Sequence, residues 1–149
     1  MRDHSQAIRE FFNAYAKLFN DALADPPKVD LAAIRRSYSD YFVGTDPNAV
    51  RGGKNGLLFR LMLPLGYRRY RKLGCKRMEL KSVDVTGLDD FHAMARTHWS
   101  SIFRKKDGTI VEIEFDNIYL LHIPDGASPK IFAWITPDEQ QALRDHGIT

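Results

Sequence analysis

Between residues 91 and 136 the chain carries three runs of β-branched and aromatic residues separated by turn signals, and such a segment folds into consecutive antiparallel strands. The first link, Lys106-Asp107-Gly108, is a tight-hairpin signal. Beyond it Val111, Ile113, Phe115, Tyr119 and Leu121 alternate with Glu112, Glu114 and Asp116, so the odd-numbered face is expected to be buried. Asn117 is the polar exception on that face. A hairpin closed at Asp107-Gly108 would set the even-numbered residues of the preceding strand, Met94, Arg96, His98, Ser100 and Ile102, beside it. The expected result is an apolar wall with Arg96, His98, Asn117 and Tyr119 set into it, which suits a pocket better than a plain core. The opposite face would carry Ala93, Ala95, Thr97, Trp99 and Phe103 with Ile118 and Leu120. An exposed apolar patch of that size predicts a homodimer through the outer sheet face.

The segment before the strands supplies a packing partner. Ile8, Phe11, Phe12, Tyr15, Leu18, Phe19, Ala22 and Leu23 recur at spacings of three and four, which predicts an amphipathic helix over 5–24, ended by Pro26-Pro27. Asp30 is the expected N-cap of a short helix over 31–36. Residues 38–43 alternate as a strand, broken by Gly44-Thr45-Asp46-Pro47, and Gly52-Gly53 leads into a third helix over about 54–73, which contains Pro64 and stops at Gly74. Met78, Leu80, Val83 and Val85 mark a further strand. At the end, Thr136 as cap, Pro137 at the first position and Glu139 as the closing acid predict a short last helix.

A chain of 149 residues with 44% hydrophobic residues is expected to form one domain over 1–149. Its single cysteine, Cys75, excludes an internal disulfide, and no metal-ligand spacing of Cys and His occurs. No signal-like or membrane-spanning apolar run is present, so a cytoplasmic protein without a membrane partner is expected. The basic run Arg68, Arg69, Arg71, Lys72, Lys76, Arg77 and Lys81 lies mostly at a helix C-terminus, where the dipole favours cations, and nucleic acid is not the expected partner.

Helices followed by a curled, mixed or mainly antiparallel sheet make an α+β layout with the N-terminal helices on the concave face. That order, Tyr41-Phe42-Val43-Gly44-Thr45-Asp46-Pro47 followed by Arg51-Gly52-Gly53, and the Lys-Lys-Asp-Gly-Thr hairpin resemble the nuclear transport factor 2-like superfamily, particularly its SnoaL-like branch. The resemblance implies a cone in which the sheet wraps the long helix around a mostly apolar cavity. Members range from isomerases, dehydratases and polyketide cyclases to non-catalytic binding and dimerisation modules. Laid on the pattern of ketosteroid isomerase, Tyr15 falls near the oxyanion-hole tyrosine, Asp46 near the base, and Asn117 where a neutral aspartic acid would sit.

A second constellation joins His98, a candidate acid or base, with Arg96, a candidate binder of a carboxylate or enolate oxygen. Tyr119, Phe42, Phe115 and Trp134 complete the expected ligand-binding set. Asp40 joins it if the even-numbered residues of its strand face the cavity, and is otherwise a surface acid. Two function classes stay open: a small-molecule binder or cofactor-independent acid–base enzyme acting on an apolar or enolisable molecule, and an interaction module of the same fold. Neither a metal nor an organic cofactor is implied.

Overall fold

The structure, a computed structural model, describes residues 2–149. Helices α1 (Ser5–Leu23) and α2 (Leu31–Arg36) precede β1 (Tyr38–Asp46) and β2 (Ala49–Lys54); α3 (Leu57–Lys72) then leads into β3 (Cys75–Asp89), β4 (His92–Arg104), β5 (Ile110–His122), β6 (Lys130–Ile135) and α4 (Glu139–Asp145). One six-stranded sheet runs in the order β2-β1-β6-β5-β4-β3. Every neighbouring pair is antiparallel except β1 with β6. Irregularities in the β3–β4 ladder, between Cys75 and Arg77, Leu80 and Ser82, and Gly87 and Asp89, add local twist and curl the long hairpin around α1.

The apolar stripe of α1 lies in the concavity. Ile8 and Phe12, both fully buried, pack with Ala93, Ala95, Tyr119, Leu121 and Ile131. One turn further on, Ala16 and Leu23 join Met78, Trp99, Phe103 and Ile113. Side chains the size of Ile8 and Phe12 each contribute about 1.5–3 kcal/mol when removed from water. The cap of α2 is as expected, with Asp30 accepting from the Ala33 amide at 3.1 Å. Gly74 ends α3 at φ +91°, where a Cβ would collide with the Arg104 carbonyl.

The link between β4 and β5 overturns the expected register. Lys105 and Thr109 are still paired, through Lys105 N–H to Thr109 O at 2.8 Å, so the loop is Lys106-Asp107-Gly108, with Gly108 at φ +89° and its N–H bonded to Lys105 O. A three-residue loop of this bulged kind shifts the pairing by one residue relative to a two-residue turn, and a one-residue shift exchanges the faces of a strand. Trp99 therefore pairs with Phe115 and His98 with Asp116. The odd-numbered residues of β4, Ala93, Ala95, Thr97, Trp99 and Phe103, are buried inside. Arg96 and His98 stand on the convex face.

Three further expectations change. Residues 49–54, expected in a loop and helix start, form the edge strand β2, whose register places Gly53 opposite Phe42. A Cβ on Gly53 would meet the Phe42 ring at 2.7 Å. The last helix is capped by Asp138, which accepts from the Gln141 amide at 3.0 Å; Thr136 instead extends the sheet, its N–H bonding Thr45 O at 2.9 Å. Asp40 is exposed, because β1 is irregular between Tyr38 and Val43 and the simple alternation that would turn it inward is interrupted.

Candidate functional site

The concave face leaves space between α1, α3, α4 and the sheet. A cavity of about 420 Å³ lies against Trp99, Phe115, Phe103 and Trp134, and a wider cleft of about 720 Å³ opens between α3 and the β1–β2 hairpin. Tyr15, Phe19, Tyr38, Tyr70, Trp134 and Thr136 border both spaces. The walls are aromatic by construction. Phe42 packs on Phe59 of α3 at 4.7 Å between ring centroids and on Trp134 at 5.4 Å. The Trp134 ring lies directly over Gly44, where an added Cβ would sit 2.5 Å from ring carbons. Glycine at 44 is what lets β1 accept the indole.

Set into these walls is a small group of hydroxyls and one amide. The Tyr15 and Tyr38 hydroxyls are 2.6 Å apart, and Asn117 Nδ2 donates to the Tyr119 hydroxyl at 3.2 Å. The Tyr15 and Tyr119 rings meet edge to face at 6.2 Å. Asn117 Oδ1 is buried and accepts no hydrogen bond from any protein group among the described residues. A buried amide oxygen without a protein partner is uncommon, because such a group costs about 1–3 kcal/mol. Burial raises the pKa of Tyr15, Tyr38 and Tyr119, and in Tyr15 the neighbouring phenols add to that rise. All three are therefore neutral hydrogen-bonding groups at ordinary pH rather than bases. At the far mouth, Tyr70 donates to Glu139 Oε2 at 2.7 Å, and burial followed by that carboxylate raises its pKa.

The expected site residues divide accordingly. Tyr15, Asn117, Tyr119, Phe115 and Trp134 line the cavity, and Phe42 and Asp46 line the cleft. Asp46 is engaged in its own turn, where Oδ1 accepts from the Asn48 amide at 2.8 Å and the Ala49 amide at 3.0 Å. Arg96 and His98 border neither space. On the convex face Arg96 Nη1 lies 3.2 Å from Asp116 Oδ2, His98 Nδ1 lies 2.6 Å from Asp116 Oδ1, and His98 Nε2 lies 3.4 Å from Glu114. The hydrogen bond to Asp116 is the largest cause of a raised His98 pKa, and the same bond holds the Asp116 carboxyl below its ordinary value. Sequence reasoning missed Tyr70 and Trp99 as cavity residues. The glycine at the third position of a Lys-Asp-Gly loop was the signal that would have turned Trp99 inward.

Among the described residues no three His, Cys, Asp or Glu side chains are grouped to hold a metal ion. No helix of the described residues is long and apolar enough to cross a membrane.

Solved structures of similar shape agree with the geometry. An NTF2-like protein with a cystatin-like fold from Novosphingobium aromaticivorans superposes with a TM-score of 0.66 at 18% identity, covering 94% of this chain and 86% of that one. A ketosteroid isomerase-like protein from Erwinia carotovora atroseptica gives 0.62 at 18% identity, with 92% and 97% covered. An NTF-2 like protein of unknown function from Shewanella oneidensis gives 0.59 at 15% identity, with 91% and 100% covered. At these identities the likeness is one of fold. No curated protein matches the chain. The family model described as NTF2-like protein (DUF6841) matches residues 3–139, and the chain belongs to that family.

Proposed function

We propose that this protein binds a neutral, largely apolar small molecule in the aromatic cavity and holds its polar end at Asn117 and the Tyr15–Tyr38–Tyr119 hydroxyls. The observation that carries this reading is Asn117, a residue of the wall of a cavity of about 420 Å³ whose buried Oδ1 has no protein partner among the described residues. That volume lies in the usual range of ligand sites, and a mostly apolar wall with a few convergent polar groups is their usual chemistry. A hydroxyl on the ligand would donate to Asn117 Oδ1, and a ligand oxygen would accept from a tyrosine. An interaction module with its core filled by its own side chains has no use for such a cavity.

The acid–base enzyme is the finer reading. In it Tyr15 donates to a developing oxyanion and Asp46 takes the proton. The two turn amides on Asp46 satisfy its carboxylate as a structural group, so binding is the primary function proposed. The test is mass spectrometry of the protein purified under native conditions, before and after solvent extraction. A neutral small molecule at one per chain, absent from a Tyr15→Phe/Asn117→Leu double variant, is the expected result. A protein with no bound molecule and no uptake of neutral bicyclic phenols would contradict it.

We further propose a homodimer through the convex sheet face, with corrected contacts. The register sets Val43 beside Ala133 and Leu120 beside both Ala133 and Met94, while Ile118 sits beside Ile135. Val43 and Ile135 are exposed. Arg96, His98, Glu114 and Asp116 border this apolar row with both signs of charge, which suits a two-fold contact. Sedimentation should show a dimer that Leu120→Glu dissociates; a monomeric wild type at micromolar concentration removes the interface.

A further inference from the structure

We infer that the outward face of α3 is a docking surface for anionic lipid membranes. This inference stands independently of what the cavity binds. The helix turns Phe59, Leu63, Tyr67 and Tyr70 toward the body of the protein, where Tyr67 and Tyr70 pack on Phe19 and Phe59 on Phe42. Its other face carries Leu57, Leu58, Leu61, Met62 and Leu65, each more than half exposed. These side chains belong to the first three turns of one helix and form a contiguous apolar ridge, not scattered surface residues. Continuing along the same face toward the helix C-terminus are Arg68, Arg69 and Lys72, all exposed.

Charge decides what can cover this ridge. From Pro47 to Met78 the chain has nine lysines and arginines and no carboxylate, the nearest acids being Asp46 and Glu79. Of the exposed cations on α3, only Arg69 has a carboxylate within ion-pair distance among the described pairs, Glu139 at 3.8 Å. A second copy docked by a two-fold contact would bring this patch against itself, with Lys54 and Arg51 of one copy beside Arg68 and Arg69 of the other. Like charges facing across an interface are unfavourable. An apolar ridge edged by lysine and arginine matches instead the boundary of an anionic bilayer, with leucines entering the acyl region and cations meeting the headgroups. The lipid-facing ridge also borders the cleft between α3 and β1–β2, which Leu57, Leu58 and Met62 line.

The test is co-flotation of the full chain with vesicles of pure phosphatidylcholine and of equal parts phosphatidylcholine and phosphatidylglycerol. Binding to the anionic vesicles is expected to be at least about tenfold stronger and to weaken as added salt shortens the Debye length. Arg68→Ser/Arg69→Ser should weaken it roughly 25-fold, at about fivefold per cation. Leu58→Ser/Leu61→Ser should abolish it while leaving the circular dichroism spectrum unchanged. Failure to float with anionic vesicles, or flotation indifferent to both double variants, overturns the proposal. So does a dimer that Leu58→Ser/Leu61→Ser dissociates, because the ridge would then be an interface between copies.

Discussion

Replacing Asn117 by leucine separates a binding asparagine from a structural one by setting a small stability change against a large change in binding. In the folded chain the amide makes one described side-chain hydrogen bond, Nδ2 to the Tyr119 hydroxyl at 3.2 Å, and its oxygen makes none with protein. Losing that bond costs about 0.5–1.5 kcal/mol. A buried isobutyl group contributes about 1.5–3 kcal/mol, of which roughly half is realised where one side faces a cavity. The balance lies between about 0.75 kcal/mol of destabilisation and 1 kcal/mol of stabilisation, a change in Tm of about −3 to +4 °C for a chain of this length. Binding of a probe that carries a hydroxyl should fall. A bicyclic phenol such as 2-naphthol loses the acceptor for its hydroxyl, which weakens Kd roughly 5- to 150-fold, whereas naphthalene is unaffected or improved. Thermal unfolding followed by circular dichroism and calorimetric titration of the two probes read both effects. A Tm lowered by more than about 4 °C would show that Asn117 holds the fold together and would refute the argument.

Arg96→Ala and His98→Ala should leave 2-naphthol binding within about twofold, since both side chains stand on the convex face, where single surface changes are small. His98 has a raised folded-state pKa, so the stabilisation from its bond to Asp116 is present in acid and fades as pH rises through that value. Asp116 has a lowered pKa, so its share is lost as pH falls through the folded value, and Tm of the wild type relative to His98→Ala should be highest between those limits. Gly44→Ala should destabilise by about 1–3 kcal/mol and move the Trp134 fluorescence, because the new methyl occupies the place of the indole. Cys75 is buried and its thiol pKa is pushed up to about 12, so a thiol reagent at pH 8 should label it only when the protein unfolds.

What the sequence made legible was carried by long periodic segments, and what it hid was carried by single-residue geometry. The α1 stripe needs only 3.6-residue periodicity, and β5 alternates cleanly through Val111, Ile113 and Phe115, so both lay open in the residues. The face of β4 hung on one loop. With Gly108 at positive φ and three residues in the turn, Trp99 enters the cavity and His98 leaves it, and a reading that closed the turn after two residues exchanged them. Strand β2, Ala49–Lys54, has no apolar alternation of its own; it exists because β1 offers an edge and Asp46 nucleates the turn. Asp40 was undecidable from parity because β1 is irregular beside it. Thr136 has the composition of a cap, but its N–H is used by the sheet before the helix begins.

The chain has two tryptophans, Trp99 and Trp134, and both line the cavity. A titration of the ¹⁵N-labelled protein with 2-naphthol at neutral pH, read at its two indole N–H signals, therefore measures occupation of the proposed site and little else. The account predicts that both signals shift together and saturate at one probe per chain, and that Asn117→Leu needs a several-fold higher concentration to reach the same end point. Indole signals that stay in place up to the solubility limit of the probe, while it binds elsewhere or not at all, would contradict it.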